Sequence, residues 1–141
     1  MAVIFGGYMY IQGTLNQRER EENVSKLVGE SLALDYIKGA AKIMKSKLPI
    51  VSEDGFILYN IQFDEMNREF TFFQQNKNIG NLTETEINDY QSNLKVDKKT
   101  IAKNSKNKDA FVEADVTIRY RVFDKNLNEV FNFIITPQDM K

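Results

Sequence analysis

The sequence predicts an α+β domain in which an antiparallel sheet of about four strands, arranged as two hairpins, packs against two long helices. Three observations support this fold class: an apolar stripe at helical spacing, a helix-capping motif in mid-chain, and alternating apolar and polar residues near the C-terminus. The predicted order is α-β-β-α-β-β. Hairpins beside helices are typical of a sheet with helices on one face.

The first helix is predicted from about Asn16 to Leu48, with Gly29 as a candidate break. From Leu34 onward its apolar residues recur at steps of 3, 4, 3 and 4, which places them on one face. Pro49 ends the helix because its ring fixes φ and it has no backbone N–H to donate. We expect the stripe to pack on the domain's own sheet rather than on a coiled-coil partner.

The first hairpin is predicted from Phe56–Phe63 and Glu69–Gln74, joined by the turn-rich residues 64–68. Simple alternation in its first strand places four large side chains on one face: Ile57, Tyr59, Ile61 and Phe63.

The second helix is predicted from Thr83 to about Lys103, because Thr83-Glu-Thr-Glu86 fits a capping box. Its apolar stripe consists of Ile87, Tyr90, Leu94 and Ile101. A basic run over residues 98–108 follows, which we interpret as a solvated helix end. The alternative is contact with anionic lipid headgroups or an acidic partner.

The last hairpin gives the strongest local pattern. Residues 116–122 alternate between apolar side chains and Thr117, Arg119 and Arg121, and residues 129–136 return after a turn at 124–128. Asp124-x-Asn126-x-Asn128 matches the opening of a calcium loop. The glycine and the bidentate glutamate that such a loop requires are missing, so a β-turn is the better interpretation.

Composition excludes several kinds of chemistry. The 141 residues include no cysteine and no histidine, which removes thiolate nucleophiles, disulfides, Ser-His-Asp triads and His-based metal sites. Nineteen basic and twenty acidic residues leave a net charge of −1, which argues against a nucleic-acid surface. Carboxylate pairs, a Ser-Lys arrangement and an all-oxygen metal site remain open, but no such constellation is evident in the sequence. We predict a protein that is not an enzyme and that has no cofactor and no metal site.

The N-terminal segment, residues 1–15, begins with eleven uncharged residues, Met1–Ile11. A full membrane span needs about 20 apolar residues. We interpret the segment as the C-terminal remnant of a membrane anchor, and residues 16–141 as a single domain. The alternative is that the segment is a first strand or a buried helix of the domain.

The chain from Leu34 onward resembles a loose group of small, uncharacterised bacterial envelope proteins that are periplasmic or membrane-anchored. The matching features are the helix closing in Lys47-Leu-Pro49, the Ile118-x-Tyr120 strand, the Asp124-Lys-Asn126 turn and the Thr136-Pro-Gln-Asp139 end. Members often carry cysteines where this chain has residues such as Ser105 and Met140. The resemblance implies secretion or membrane anchoring and transfers no catalytic residue.

These observations favour a membrane-anchored envelope accessory domain that binds another protein, on the inner membrane and facing the periplasm or the outside. The alternative is a cytosolic immunity or inhibitor protein that blocks a toxin or phage enzyme. The oligomeric state is not predicted. The candidate partner-binding residues lie on the predicted sheet: Arg119, Arg121, Gln62, Asn132 and Phe73.

Overall fold

The computed structural model describes residues 17–53 and 55–141. The helices are α1 (Gln17–Ser46), α2 (Glu84–Lys103), α3 (Lys108–Glu113) and α4 (Pro137–Met140). The strands are β1 (Ile50–Val51), β2 (Phe56–Asp64), β3 (Glu69–Asn76), β4 (Thr117–Phe123) and β5 (Glu129–Ile135). The predicted class, an α+β fold with two hairpins and two long helices, is confirmed. The short elements β1, α3 and α4 are additional.

Helix α1 is continuous through Gly29, where the carboxylate of Glu113 on α3 approaches the backbone closely. Its predicted stripe faces the sheet: Ile37 and Ala41 are buried, and Leu34 and Met44 pack against the core. The helix ends at Ser46, just before the proline at position 49, as expected.

Helix α2 begins with the predicted capping box. The Glu86 N–H donates to Thr83 Oγ1 at 3.2 Å, and the Thr83 N–H donates to Glu86 Oε1 at 3.1 Å. The same device recurs at α4, where Thr136 and Asp139 exchange equivalent bonds after β5 ends. Met140 is thereby turned into the core.

The sheet order follows the chain, from β1 to β5, and every neighbouring pair is antiparallel except β3–β4. The parallel pair arises because α2 and α3 carry the chain back to the end at which β3 began. The Thr117 N–H there donates to the Arg68 carbonyl at 2.9 Å. The sheet is therefore mostly antiparallel, with one parallel pair that the sequence did not indicate.

A β-bulge in β2 makes the predicted alternation of that strand wrong. Leu58 pairs with Gln74 and Asn60 pairs with Phe73, so Tyr59 is an extra residue in the ladder. The bulge moves Ile61 and Phe63 to the helix-covered face while Ile57 and Tyr59 stay on the other.

The core lies between the helices and one face of the sheet, called here the covered face. Ladder partners Phe72, Tyr120 and Phe133 stack across β3, β4 and β5, with ring centroids 4.9 and 5.3 Å apart. Phe70 is buried beside this row and contacts the Phe111 ring of α3 at 5.5 Å.

Contacts of Arg68 connect α1, the β2–β3 turn and the α3–β4 connection. Arg68, with φ of 52°, donates from Nη1 to the Ala114 carbonyl at 2.6 Å and lies 3.0 Å from Glu30. These contacts hold α1 and the α3–β4 connection against the end of the sheet at which β3 and β4 both begin.

Candidate partner-binding surface

The face of the sheet opposite the helices, called here the open face, carries a shallow polar depression of about 400 Å³. It forms because strand alternation turns the polar residues of β2, β3, β4 and β5 away from the core. Its lining residues are Gln62, Asp64, Glu69, Thr71, Phe73, Arg119, Arg121, Glu129 and Asn132. All five sequence-predicted residues are among them. Their role in binding stays a prediction.

Arg119 ties three strands together at the centre of the depression. Its Nε donates to Glu69 Oε1 on β3 at 2.8 Å, and its Nη1 donates to Asn132 Oδ1 on β5 at 2.6 Å. Because the planar guanidinium presents several donors at fixed angles, one side chain on β4 serves both neighbouring strands.

Arg121 forms the second ion pair, with Glu129. Its Nη2 lies 2.6 Å from Glu129 Oε2 and its Nε lies 3.3 Å from Oε1. This hydrogen bonding raises the pKa of Arg121 and lowers the pKa of Glu129 from their ordinary values. Both groups therefore stay charged over the physiological pH range.

An aromatic cluster borders the ion pairs. The Arg121 guanidinium lies 5.1 Å from the Phe73 ring centroid and 5.2 Å from that of Phe123. Tyr59, the extra residue of the bulge, lies on this face and contacts both rings. Burial raises the pKa of the Tyr59 hydroxyl, so it remains a neutral donor. Phe73 is thus half-buried in a cluster and does not stand alone as an exposed aromatic.

The β2 side of the depression is more solvent-exposed. Gln62 is exposed and pairs in the ladder with Thr71. Asp64 accepts the Asn67 backbone N–H at 3.0 Å and its Nδ2 at 2.7 Å, and these bonds lower the pKa of Asp64. Asp64 therefore belongs to the hairpin turn as much as to the depression.

Sequence reasoning found the two arginines but missed their carboxylate partners, Glu69 and Glu129. Both acids begin strands, at outward positions adjacent to β4. Opposite charges at outward positions of neighbouring strands are the pattern that points to them. For Glu129 the predicted hairpin already supplies the neighbouring strand, whereas for Glu69 the strand order must be known.

The charged groups of the depression are largely paired with one another. Its arginines are already paired, and no group of three or more acidic residues is placed for a metal within residues 17–53 and 55–141. Arginine and aromatic side chains are enriched at protein interfaces, where complementary charges supply specificity.

The β4–β5 connection is the predicted turn rather than a calcium loop. Asp124 Oδ1 accepts the backbone N–H groups of Asn126 and Asn128 at 2.9 and 3.0 Å. The carboxylate thus organises the turn.

The N-terminal segment, residues 1–15, lies outside the described residues, so the anchor interpretation and the domain boundary stay predictions. Among the helices that are described, none is both long enough and apolar enough to cross a membrane.

The structure is a small α+β domain, in which two long helices pack on the covered face of a mostly antiparallel sheet and the other face is open. Among solved structures, the chain is similar to the pilotin EpsS of the Vibrio vulnificus type 2 secretion system. The TM-score is 0.60 at 10% sequence identity, over 80% of this chain and 96% of that one. At this identity the likeness is one of fold.

A second solved structure is the type II secretion system pilotin AspS from Vibrio cholerae. Its TM-score is 0.46 at 10% identity, over 84% of this chain and 97% of that one, and it carries no further weight. No protein-family model and no curated protein matches the sequence.

Proposed function

We propose that this protein is a non-enzymatic accessory domain of the bacterial envelope that binds another protein of a secretion assembly, in the manner of a pilotin. The observation that carries the proposal is the likeness to the EpsS fold, which spans nearly the whole of that pilotin. A non-enzymatic role fits this fold. It also fits a chain without histidine or cysteine.

The N-terminal segment, residues 1–15, would hold the domain at a membrane, facing the periplasm or the outside. This part of the proposal rests on its run of uncharged residues and on the sequence resemblance to envelope proteins. Fractionation of the native host, with protease access tested before and after opening the envelope, checks it. Recovery in the cytosol would favour the immunity or inhibitor alternative.

The proposed contact surface is the depression on the open face. Arg119 and Arg121 are held at defined positions by their carboxylate partners, so a partner meets an ordered pattern of charge. Gln62 and Asn132 are exposed beside them and offer amide donors and acceptors. Preorganised polar groups favour specificity over raw affinity.

Reversing one arginine alone would place two acids together and so destabilise the sheet. A cleaner experiment exchanges both members of a pair, as in Arg121→Glu with Glu129→Arg. The exchange keeps the ion pair but inverts the charge pattern that a partner meets. We expect the exchanged protein to fold normally and to lose capture of its envelope partner in crosslinking from the native host.

The matched control exchanges an ion pair away from the open face. Lys38 on α1 lies 2.8 Å from Glu65 in the β2–β3 turn, and both are about half exposed. Lys38→Glu with Glu65→Lys should leave capture intact. Equal capture by both exchanged proteins would rule out the open face as the contact surface. Capture of a cytosolic toxin or phage enzyme would contradict the proposal itself.

A further inference from the structure

An apolar cavity of about 200 Å³ lies on the covered face, between the C-terminal halves of α1 and α2. Its floor is aromatic, with Phe70, Phe72 and Tyr120 from the strands. Met44 of α1 and Met140 of α4 also line it. The cavity is therefore on the other side of the sheet from the depression.

The helices leave this cavity open to solvent. Ile101 continues the core-facing stripe of α2 and lines the cavity, yet its side chain remains 59% exposed. On α1, Tyr36 and Ile43 are exposed on the same side of the helix as Ala40, which lines the cavity. Large exposed apolar side chains beside the cavity favour an apolar ligand.

Two lysines lie beside the cavity, one on the C-terminal half of α2 and one at the start of α3. Lys108 lines the cavity, whereas Lys98 lies outside the lining, with its Nζ 5.5 Å from the centroid of the Tyr120 ring that does line it. In the part of the chain that the structure describes, neither lysine forms an ion pair. Nearby Lys99, by contrast, pairs with Asp139 at 3.3 Å. An apolar cavity with lysines beside it matches a ligand that has an apolar tail and an anionic head.

We propose that the cavity binds a medium-chain fatty acid, with the tail against the Phe72 and Tyr120 rings and the carboxylate near Lys98 and Lys108. The size agrees: an apolar cavity of about 150 Å³ holds benzene, so this one holds roughly eight carbon atoms. A helix is about 10 Å wide and could insert only side chains here. The inference does not depend on the proposed secretion partner.

Methionine methyl groups give a direct test in the whole protein. Octanoate, added as a monomer to protein labelled with ¹³C-methyl methionine, should shift the Met44 and Met140 signals saturably. Met66, which is 91% exposed in the β2–β3 turn, is the internal control and should not move. Absence of a shift at Met44 and Met140, or an equal shift at Met66, would overturn the proposal.

Two sets of variants test the tail and head contacts separately. Ala40→Leu should fill the cavity and abolish the shifts. Gly39→Leu adds the same side chain at the adjacent position, where it points into open solvent, and should preserve the methionine shifts.

Lys98→Gln with Lys108→Gln should weaken octanoate binding about fivefold and leave octanol binding unchanged. Equal losses for octanoate and octanol would contradict the carboxylate contact. Shifts that only anionic phospholipid vesicles produce would overturn the free fatty acid as ligand.

Discussion

The two faces of the sheet use the same strands for different physical purposes, and neighbouring residues of β4 display the contrast. Tyr120 points to the covered face, where burial raises its pKa to about 12. Arg121 points to the open face, where its hydrogen bonds to Glu129 raise its pKa. Desolvation acts on the first residue, and a charged partner acts on the second.

The covered face and the open face contribute differently to the stability of the domain. The covered face removes apolar area from water, which is the main driving force of folding. The ion pairs of the open face are about one-third exposed, so solvent screens them and they add little to stability.

The largest expected contrast is between two phenylalanines of β3. Phe70 is buried against the Phe72 and Phe111 rings, whereas Phe73 lies half-buried under Arg121. Phe70→Ala should lower the free energy of unfolding by about 3–5 kcal/mol because it leaves a cavity. Phe73→Ala should lower it by about 1–2 kcal/mol, through lost ring and cation–π contacts.

Urea denaturation of the two variants measures both effects in the same strand. The slope of the unfolding free energy against urea concentration should match wild type, so that the midpoints report stability alone. Equal losses would mean that the open face contributes as much to folding as the core does, and the comparison of the two faces would fail.

The sequence predicts which side chains lie on the covered and open faces better for some strands than for others. The alternation holds over Ile118–Val122 in β4 and Phe131–Ile135 in β5, so both arginines follow from the pattern, but a register shift between Val122 and Phe123 interrupts it beside Glu129. In β2 it fails at Tyr59, because a bulge adds a residue without any change in composition. Glu129 could not be identified because its pairing depends on the register, which shifts between Val122 and Phe123, and Glu69 could not because its pairing depends on strand order. That order depends on where the crossover, including the unpredicted α3, returns the chain.

A double-mutant cycle sharpens the comparison on the open face. Arg121→Ala, Glu129→Ala and the double variant should give a coupling energy of about 0.5–1 kcal/mol, as for partly exposed ion pairs. The coupling should shrink in high salt because screening acts on exposed charges. A coupling above about 2 kcal/mol would show that the pair is a major folding contact.

The smallest expected effect is the pH dependence of the stability that the Arg121–Glu129 pair contributes. The hydrogen bond from Arg121 holds the pKa of Glu129 below the ordinary 4.5 in the folded state, whereas the unfolded chain retains the ordinary value. The contribution of this pair to the free energy of unfolding is therefore complete above about pH 4.5 and disappears as the pH falls through the folded-state pKa of Glu129.

Glu129→Gln isolates this contribution from other acids, because Asp139 and Glu86 also have lowered pKa values through helix-cap bonds. The stability difference between wild type and Glu129→Gln, measured by urea unfolding, should stay below about 1 kcal/mol at neutral pH. It should vanish in acid. A difference that grew as the pH fell would mean that Glu129 prefers its protonated form in the fold, contrary to the pairing with Arg121.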